Sequence, residues 1–276
     1  MRTRANILGV LIDQVDLPQV ETMVNDFVSS GKPHQIVTVN LDFITWSLRD
    51  PNFSELINSS SLAVADGMPV LWASKMLGFP IPQRITGMDI VHTCCRLANR
   101  KGQRVFLLGA EPGVASRAGE ALCQTYPNIR IAGTYSPPFV DLTPEVNKRI
   151  VDMVVASEPH YLFVAFGSPK QEFWIRKNFS SLGVPVCVGI GGVFNFLAGR
   201  VRRAPEWMQS LGFEWAFRMT QQPWLARRYF IDDLPTFFRM IGSKHSAMER
   251  GNVGVHQNAN RVFHNSPGLK QIGPME

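Results

Sequence analysis

Asp66 ends a short apolar run, Ser61-Leu-Ala-Val-Ala-Asp-Gly67. Leu62 to Ala65 suit a buried strand. A carboxylate at the end of such a strand faces the edge where parallel α/β sheets bind ligands, which makes Asp66 a candidate for a chemical role. Asp66-Gly67 also suits a turn in which Asp66 caps the next helix. Other polar residues close apolar runs in the same way. Thr38 and Asn40 end the run that begins at His34, and Gly167-Ser-Pro-Lys-Gln171-Glu172 follows the run from His160. Arg84-Ile-Thr86-Gly87 lies in an irregular segment that contains Pro80 and Pro82. Gly167 to Gln171 also marks a helix N-terminus, whose free N–H groups suit phosphate. Singly, each of these residues reads as a cap or a turn. Together they outline a polar cleft for an anionic ligand, whose identity the spacing leaves open.

Alternating strands and helices must position these residues. Ile7 to Ile12 reads as a strand, and Leu17 to Ser30 as a helix stopped by Gly31. His34 to Asn40 is the next strand, and Leu41 to Ser59 is helical with an interruption near Pro51. The Asp66 strand, a helix from Met68 to Leu77 and a helix from Gly87 to Lys101 follow. Strands over Arg104–Gly109, Ile129–Gly133, His160–Gly167 and Pro185–Ile190 then alternate with helices over Val114–Tyr126, Thr143–Ser157 and Pro169–Leu182. That order predicts an α/β fold with a Rossmann-like parallel sheet covered on both faces. The expected division is an α/β core over 1–199, with subdomains of about 1–101 and 102–199. A helical appendage over 200–244 and a disordered tail over 245–276 complete it.

With 276 residues, 45% hydrophobic and 18% charged, the chain can bury a sizeable core. Its net charge of +6 suits an anionic partner: nucleic acid, a phosphate-bearing substrate or a membrane surface. Residues 200–244 hold eight Lys or Arg against four Asp or Glu, interleaved with aromatics such as Trp207, Trp215, Trp224, Phe230 and Phe238. Such a segment suits an interfacial membrane binder, or a helical layer on the sheet with a solvated basic edge. Basic residues spread among large apolar ones fit a nucleic-acid track poorly, so no nucleic acid is expected. The four cysteines show no metal-ligand spacing and read as reduced, buried thiols of a cytosolic protein. The uncharged stretch Val184 to Gly199 contains four glycines and falls short of a spanning helix.

Several motifs are absent: a dinucleotide GxGxxG in register, a P-loop, G-x-S-x-G, HExxH and any Asp-x-Asp pair. An Asp-x-Asp pair commonly holds the metal in nucleotide-sugar enzymes. Without one, cationic side chains would have to stabilise a diphosphate leaving group, so neither metal nor cofactor is expected.

At this point the motifs resemble the WecB/TagA/CpsF bacterial glycosyltransferases. The matching stretches are Thr38-Val-Asn40, Ala65-Asp66-Gly67, Arg84-Ile-Thr-Gly87, Phe106-Leu-Leu-Gly109, Gly167-Ser-Pro-Lys-Gln-Glu172 and Gly189-Ile-Gly-Gly-Val-Phe194. Arg203-Ala-Pro205, Glu214-Trp215 with Arg218, Pro223 and Arg227-Arg-Tyr229 extend the match, which spans about Ile7 to Phe238. The resemblance implies an inverting, metal-independent transferase. It would move a sugar from a UDP-sugar donor to a polyprenyl-diphosphate-linked acceptor at the inner face of the cell membrane, in surface-polysaccharide synthesis. It implies Asp66 as the base, and Thr38, Asn40, Arg84 and Gln171 as substrate-site positions. Arg218, Arg227 and Arg228 fall in the stretch that closes over the diphosphate. Asn195 stands where the family often has Asp, which alters a contact to the nucleotide. Homo-oligomerisation stays open, and an NAD(P)-binding oxidoreductase is the alternative on the same sheet.

Overall fold

The computed structural model describes residues 3–137, 143–210, 212–223 and 225–242. The tail expected over 245–276 and Trp224 lie outside the described residues.

The apolar run near the N-terminus folds as two strands rather than one. Arg4–Ile7 (β1) and Val10–Asp13 (β2) pair antiparallel. Leu8 and Gly9 turn between them with φ of 51° and 90°, and the Gly9 amide is tied to the Asn6 side chain. Asp13, fully buried at the end of β2, accepts from Arg4 Nε (3.0 Å) and from the Ala63 amide (2.9 Å). This ion pair fastens the hairpin to the strand that carries Asp66.

The remaining strands are β3 (His34–Val39), β4 (Leu62–Ala65), β5 (Arg104–Gly109), β6 (Arg130–Tyr135), β7 (Tyr161–Ala165) and β8 (Val186–Gly189). They form one parallel sheet in the order β4-β3-β8-β7-β5-β6. The sheet runs unbroken across the expected boundary near residue 101, because β3 pairs with β8. Side chains alternate across it. Ile36, Leu62 and Val64 enter one buried cluster, and Val37, Val39 and Ala63 enter another.

Helices cover both faces, as expected. On one lie α1 (Leu17–Ser30), α5 (Gly87–Lys101) and α6 (Val114–Thr125). On the other lie α2 (Leu41–Arg49), α3 (Pro51–Asn58), α4 (Met68–Met76), α7 (Pro144–Ala156) and α8 (Lys170–Leu182). Pro51 sets the break between α2 and α3: its ring fixes φ and it lacks the N–H that a continuing helix needs. A short helix, α9 (Val193–Leu197), follows β8.

Beyond Gly199 the chain is helical throughout most of its described length. It forms α10 (Glu206–Ser210), α11 (Glu214–Gln221), α12 (Leu225–Arg227), a π-helical segment Arg228–Asp233 and a helical stretch over 234–242. The buried Asp233, Thr236 and Met240 attach this arm to α2 and the core beneath. Thr45 Oγ1 donates within reach of Asp233 (3.2 Å) and Thr236 (2.9 Å). Three cysteines are buried as expected, but Cys123 is exposed. It lies on the water-facing side of α6, whose buried side carries Ala118 and Leu122.

Candidate active site

All parallel strands point their C-terminal ends the same way, so the polar residues that follow them meet at one edge. A cavity of about 700 Å³ opens there. Thr38, Asn40, Asp66, Arg84, Gln171, Asn195, Arg218 and Arg228 all line it. Of the expected site residues only Arg227 does not; it is exposed on α12.

Asp66 is held from three sides. Its amide donates to Val39 O (2.7 Å), which continues the β3–β4 pairing by one residue. Ile85 N donates to Ala65 O (2.8 Å), so the loop bearing Arg84 lies along the open edge of β4. The carboxylate meets the N–H of Gly87, the first residue of α5. Asp66 does not cap α4: the N-cap position is Gly67, and no side chain caps that helix. The helix that caps well is α5, where Thr86 and Asp89 form a reciprocal capping box.

Half-buried, Asp66 has its pKa pushed up to about 6. Burial is the main cause. Arg84 opposes it, Glu214 adds to it, the Gly87 N–H opposes it and Asp89 adds a last increment. The result is a carboxylate that is ionised at neutral pH yet binds a proton far more readily than a solvated aspartate. A general base needs that balance.

Four arginines line the walls: Arg84, Arg203, Arg218 and Arg228. Glu214 bridges two of them, accepting from Arg84 (3.4 Å) and Arg203 (3.5 Å). Arg218 lies over the Phe196 ring at 5.8 Å and reaches the Gln222 side chain at 3.4 Å. Arg228 stacks on Tyr229 at 4.8 Å and faces Asp233 at 3.8 Å. Asp233 is buried beside Asp42; burial and then that neighbour push its pKa up to about 7. Burial likewise raises Asp42, against the pull of Arg228. At the rim Arg200 pairs with Glu111.

Gln171 does something its position in the sequence did not suggest. Its Oε1 accepts from the amides of Gly167 (3.2 Å) and Gly191 (3.0 Å), joining the turns that follow β7 and β8. The Gly167 N–H expected to await a phosphate is therefore already in use. Asn40 likewise spends its Oδ1 on the Phe43 amide (3.1 Å), as the N-cap of α2. Asn195 lines the cavity from the first turn of α9. Gly189 must be glycine: a Cβ there would fall 2.4 Å from Glu172 Oε1 and 2.7 Å from Gln171 Nε2.

Arg203, Glu214, Asp42 and Asp233 were not among the expected site residues. Arg203 and Glu214 stood in the stretches that carry the family resemblance, which was the available signal. Asp42 is two residues past Asn40, itself at a strand end. Asp233 had no local signal, because its partner Asp42 is remote in the chain.

Residues 5–250 match the glycosyl transferase WecG/TagA/CpsF family. The chain is also similar to proteins of Staphylococcus aureus named N-acetylglucosaminyldiphosphoundecaprenol N-acetyl-beta-D-mannosaminyltransferase. Those of strains NCTC 8325 / PS 47 and COL are each 35% identical over 217 residues, covering 78% of this chain and 84% of theirs.

Proposed function

Since this chain belongs to the glycosyl transferase WecG/TagA/CpsF family and is a glycosyltransferase, we propose that Asp66 is its base in an inverting, metal-independent transfer. The donor is a UDP-sugar and the acceptor a polyprenyl-diphosphate-linked saccharide. One observation carries the reading: a half-buried carboxylate of raised proton affinity shares a cavity with four arginines.

In this reaction the acceptor hydroxyl oxygen bonds to the anomeric carbon while the bond from that carbon to the diphosphate breaks. Attack comes from the face opposite the leaving group, so the configuration inverts. Asp66 takes the hydroxyl proton. The charge that develops on the departing UDP is met by Arg84, Arg203, Arg218 and Arg228, fixed dipoles and cations needing little reorganisation. The names of the staphylococcal relatives, with an N-acetylmannosaminyl group moved to an N-acetylglucosaminyl-diphospholipid, support this class of donor and acceptor. Incubating the enzyme with a panel of UDP-sugars and a lipid-diphosphate acceptor should release UDP from one donor, undiminished by EDTA. Loss of release on chelation, restored by a divalent cation, would refute metal independence.

A lipid-linked acceptor supports reading the enzyme as peripheral at a membrane surface, which it would meet through the arm. No helix of the described residues is long and apolar enough to cross a bilayer. The arm instead leaves Phe230, Ile231 and Phe238 more than half exposed, beside Arg227 and Arg239. Amphipathic surfaces of this composition bind anionic bilayers. Changing Phe230, Ile231 and Phe238 together to Ser should lower co-sedimentation with anionic vesicles by tenfold or more. Unchanged sedimentation would remove the arm as the contact.

A further inference from the structure

Glu172 lies directly behind Gly189 and Gln171, at 1% exposure, and the proposed reaction gives it no role. Its Oε1 accepts from Gln171 Nε2 at 2.7 Å. Its Oε2 is buried with no partner. Gln35 of β3 donates through Nε2 to the Glu172 carbonyl (3.2 Å), and Gln35 Oε1 is also buried and unpartnered. Two orphan acceptors thus sit on Glu172 and on the glutamine bonded to its backbone. Among the described residues no cation pairs with Glu172. A carboxylate here would be a buried charge with no cation beside it and one oxygen unpaired, which protein interiors do not tolerate. A proton on Oε2 removes the charge and supplies the missing donor.

We propose that Glu172 works as an un-ionised carboxylic acid that positions Gln171, and through it the turns after β7 and β8 that wall the cavity. It touches no substrate. Gln171 can gather the Gly167 and Gly191 amides on Oε1 because Nε2 is turned to Glu172. Ionising Glu172 tightens its pull on Gln171 Nε2 but leaves a bare buried charge on Oε2, which is relieved only by water entering behind both turns and disturbing their common anchor. The inference rests on the transfer reaction proposed above for one of its two readouts.

The surroundings favour the neutral acid. Burial pushes the Glu172 pKa up to about 8, against the Gln171 hydrogen bond and its own backbone N–H, and Asp42 of α2 adds to the rise. β3 contributes His34, bonded to Ser30 and Ser61. β7 contributes Tyr161, bonded to Gln103, and β8 the buried thiol of Cys187. On α3 Glu55 is exposed, as are Glu145, Lys148, Arg149 and Asp152 on α7. Lys170, Arg176 and Lys177 of α8 itself are also exposed.

The test compares wild type, Glu172→Gln and Glu172→Ala from pH 5 to 9.5, by kcat/KM and by melting temperature. In wild type kcat/KM should fall above about pH 8, approaching tenfold per pH unit, the slope of one ionisation. Glu172→Gln, a permanent neutral donor and acceptor, should stay within about threefold of wild type near pH 7 and lack that alkaline fall. Glu172→Ala should lose activity at every pH, mainly through a higher KM for the donor. Because the folded pKa lies above the unfolded one, wild type should lose melting temperature relative to Glu172→Gln as pH rises through about 8. The same alkaline fall in Glu172→Gln, or a melting difference that does not change with pH, overturns the proposal. If no UDP-sugar supports turnover, the proposed donor is wrong, and the melting comparison still decides the state of Glu172.

Discussion

Asp66→Asn is expected to lower turnover about 10²- to 10⁴-fold, the range for loss of a positioned general base, while raising stability at pH 8. The two effects share one cause. Asp66 has a folded pKa of about 6 against an ordinary value of 3.8, so the folded protein binds its proton more tightly than the unfolded chain. The stability contributed by the neutral form is complete below about pH 4 and is lost as pH rises through about 6. At pH 8 the ionised carboxylate therefore costs the fold roughly 2 kcal/mol, discounted for the water that reaches a half-buried group. Asn keeps the shape and removes the charge. Calorimetry should show wild type and variant melting together near pH 4, separating as pH rises to about 6 and staying apart above it, with the variant higher. Activity should follow the same ionisation in wild type, with kcat/KM rising to a plateau through about pH 6. Wild-type turnover in the variant would end the assignment of Asp66 as base. A melting difference independent of pH would end the account of its ionisation.

Arg84→Ala is expected to cost 10²- to 10³-fold in kcat, about the worth of one preorganised charge-stabilising donor. It should also move the acid limb of the pH profile. Arg84 is the cation that holds the Asp66 pKa down, and Glu214 is the largest contributor pushing it up after burial. Removing Arg84 should shift the limb above pH 6, and Glu214→Gln should shift it below. Glu214→Gln also frees Arg84 and Arg203 from the carboxylate they share. Opposite displacements from two residues that contact each other are hard to obtain from general damage to the fold. Parallel displacements in the two variants would show that the charges do not act on Asp66 as described.

Much of this architecture could be read from the chain. Strands of Val, Ile and Leu separated by capped helices specify a parallel sheet, and a parallel sheet collects its strand-end residues on one edge. That rule brought Thr38, Asn40, Asp66 and the Gly167–Glu172 stretch to one edge, and the family resemblance singled out Gln171 within its stretch. The Arg4–Asp13 hairpin was read as a single strand. Its turn is Leu8-Gly9, which lacks the Asn-Gly or Asp-Gly signal of a tight hairpin. The strand order could not be read, because which strand lies beside β3 depends on a pairing with residues 186–188. Asp42 and Asp233, or Arg84 and Glu214, meet only once the arm is folded onto the core. Gln171 was visible as a residue of the cavity edge. Its use as a clip between two turns was not, since that depends on where Gly191 returns in space.

The place of β8 in the sheet bears on how this enzyme is made. The last strand among the described residues is inserted between β3 and β7, the inner edges of two otherwise separate pieces, β4-β3 and β7-β5-β6. A nascent chain that has not yet delivered Val186–Gly189 from the ribosome carries two incomplete sheets, each with a bare strand edge able to pair with the wrong neighbour. The closing step joins segments about 150 residues apart in sequence, which makes it slow compared with local folding. A fragment ending before that strand is expected to be poorly soluble. The cavity shares this timing, because Gly189 to Gly192 form one of its walls. Translation must pass this point before any catalytic surface exists.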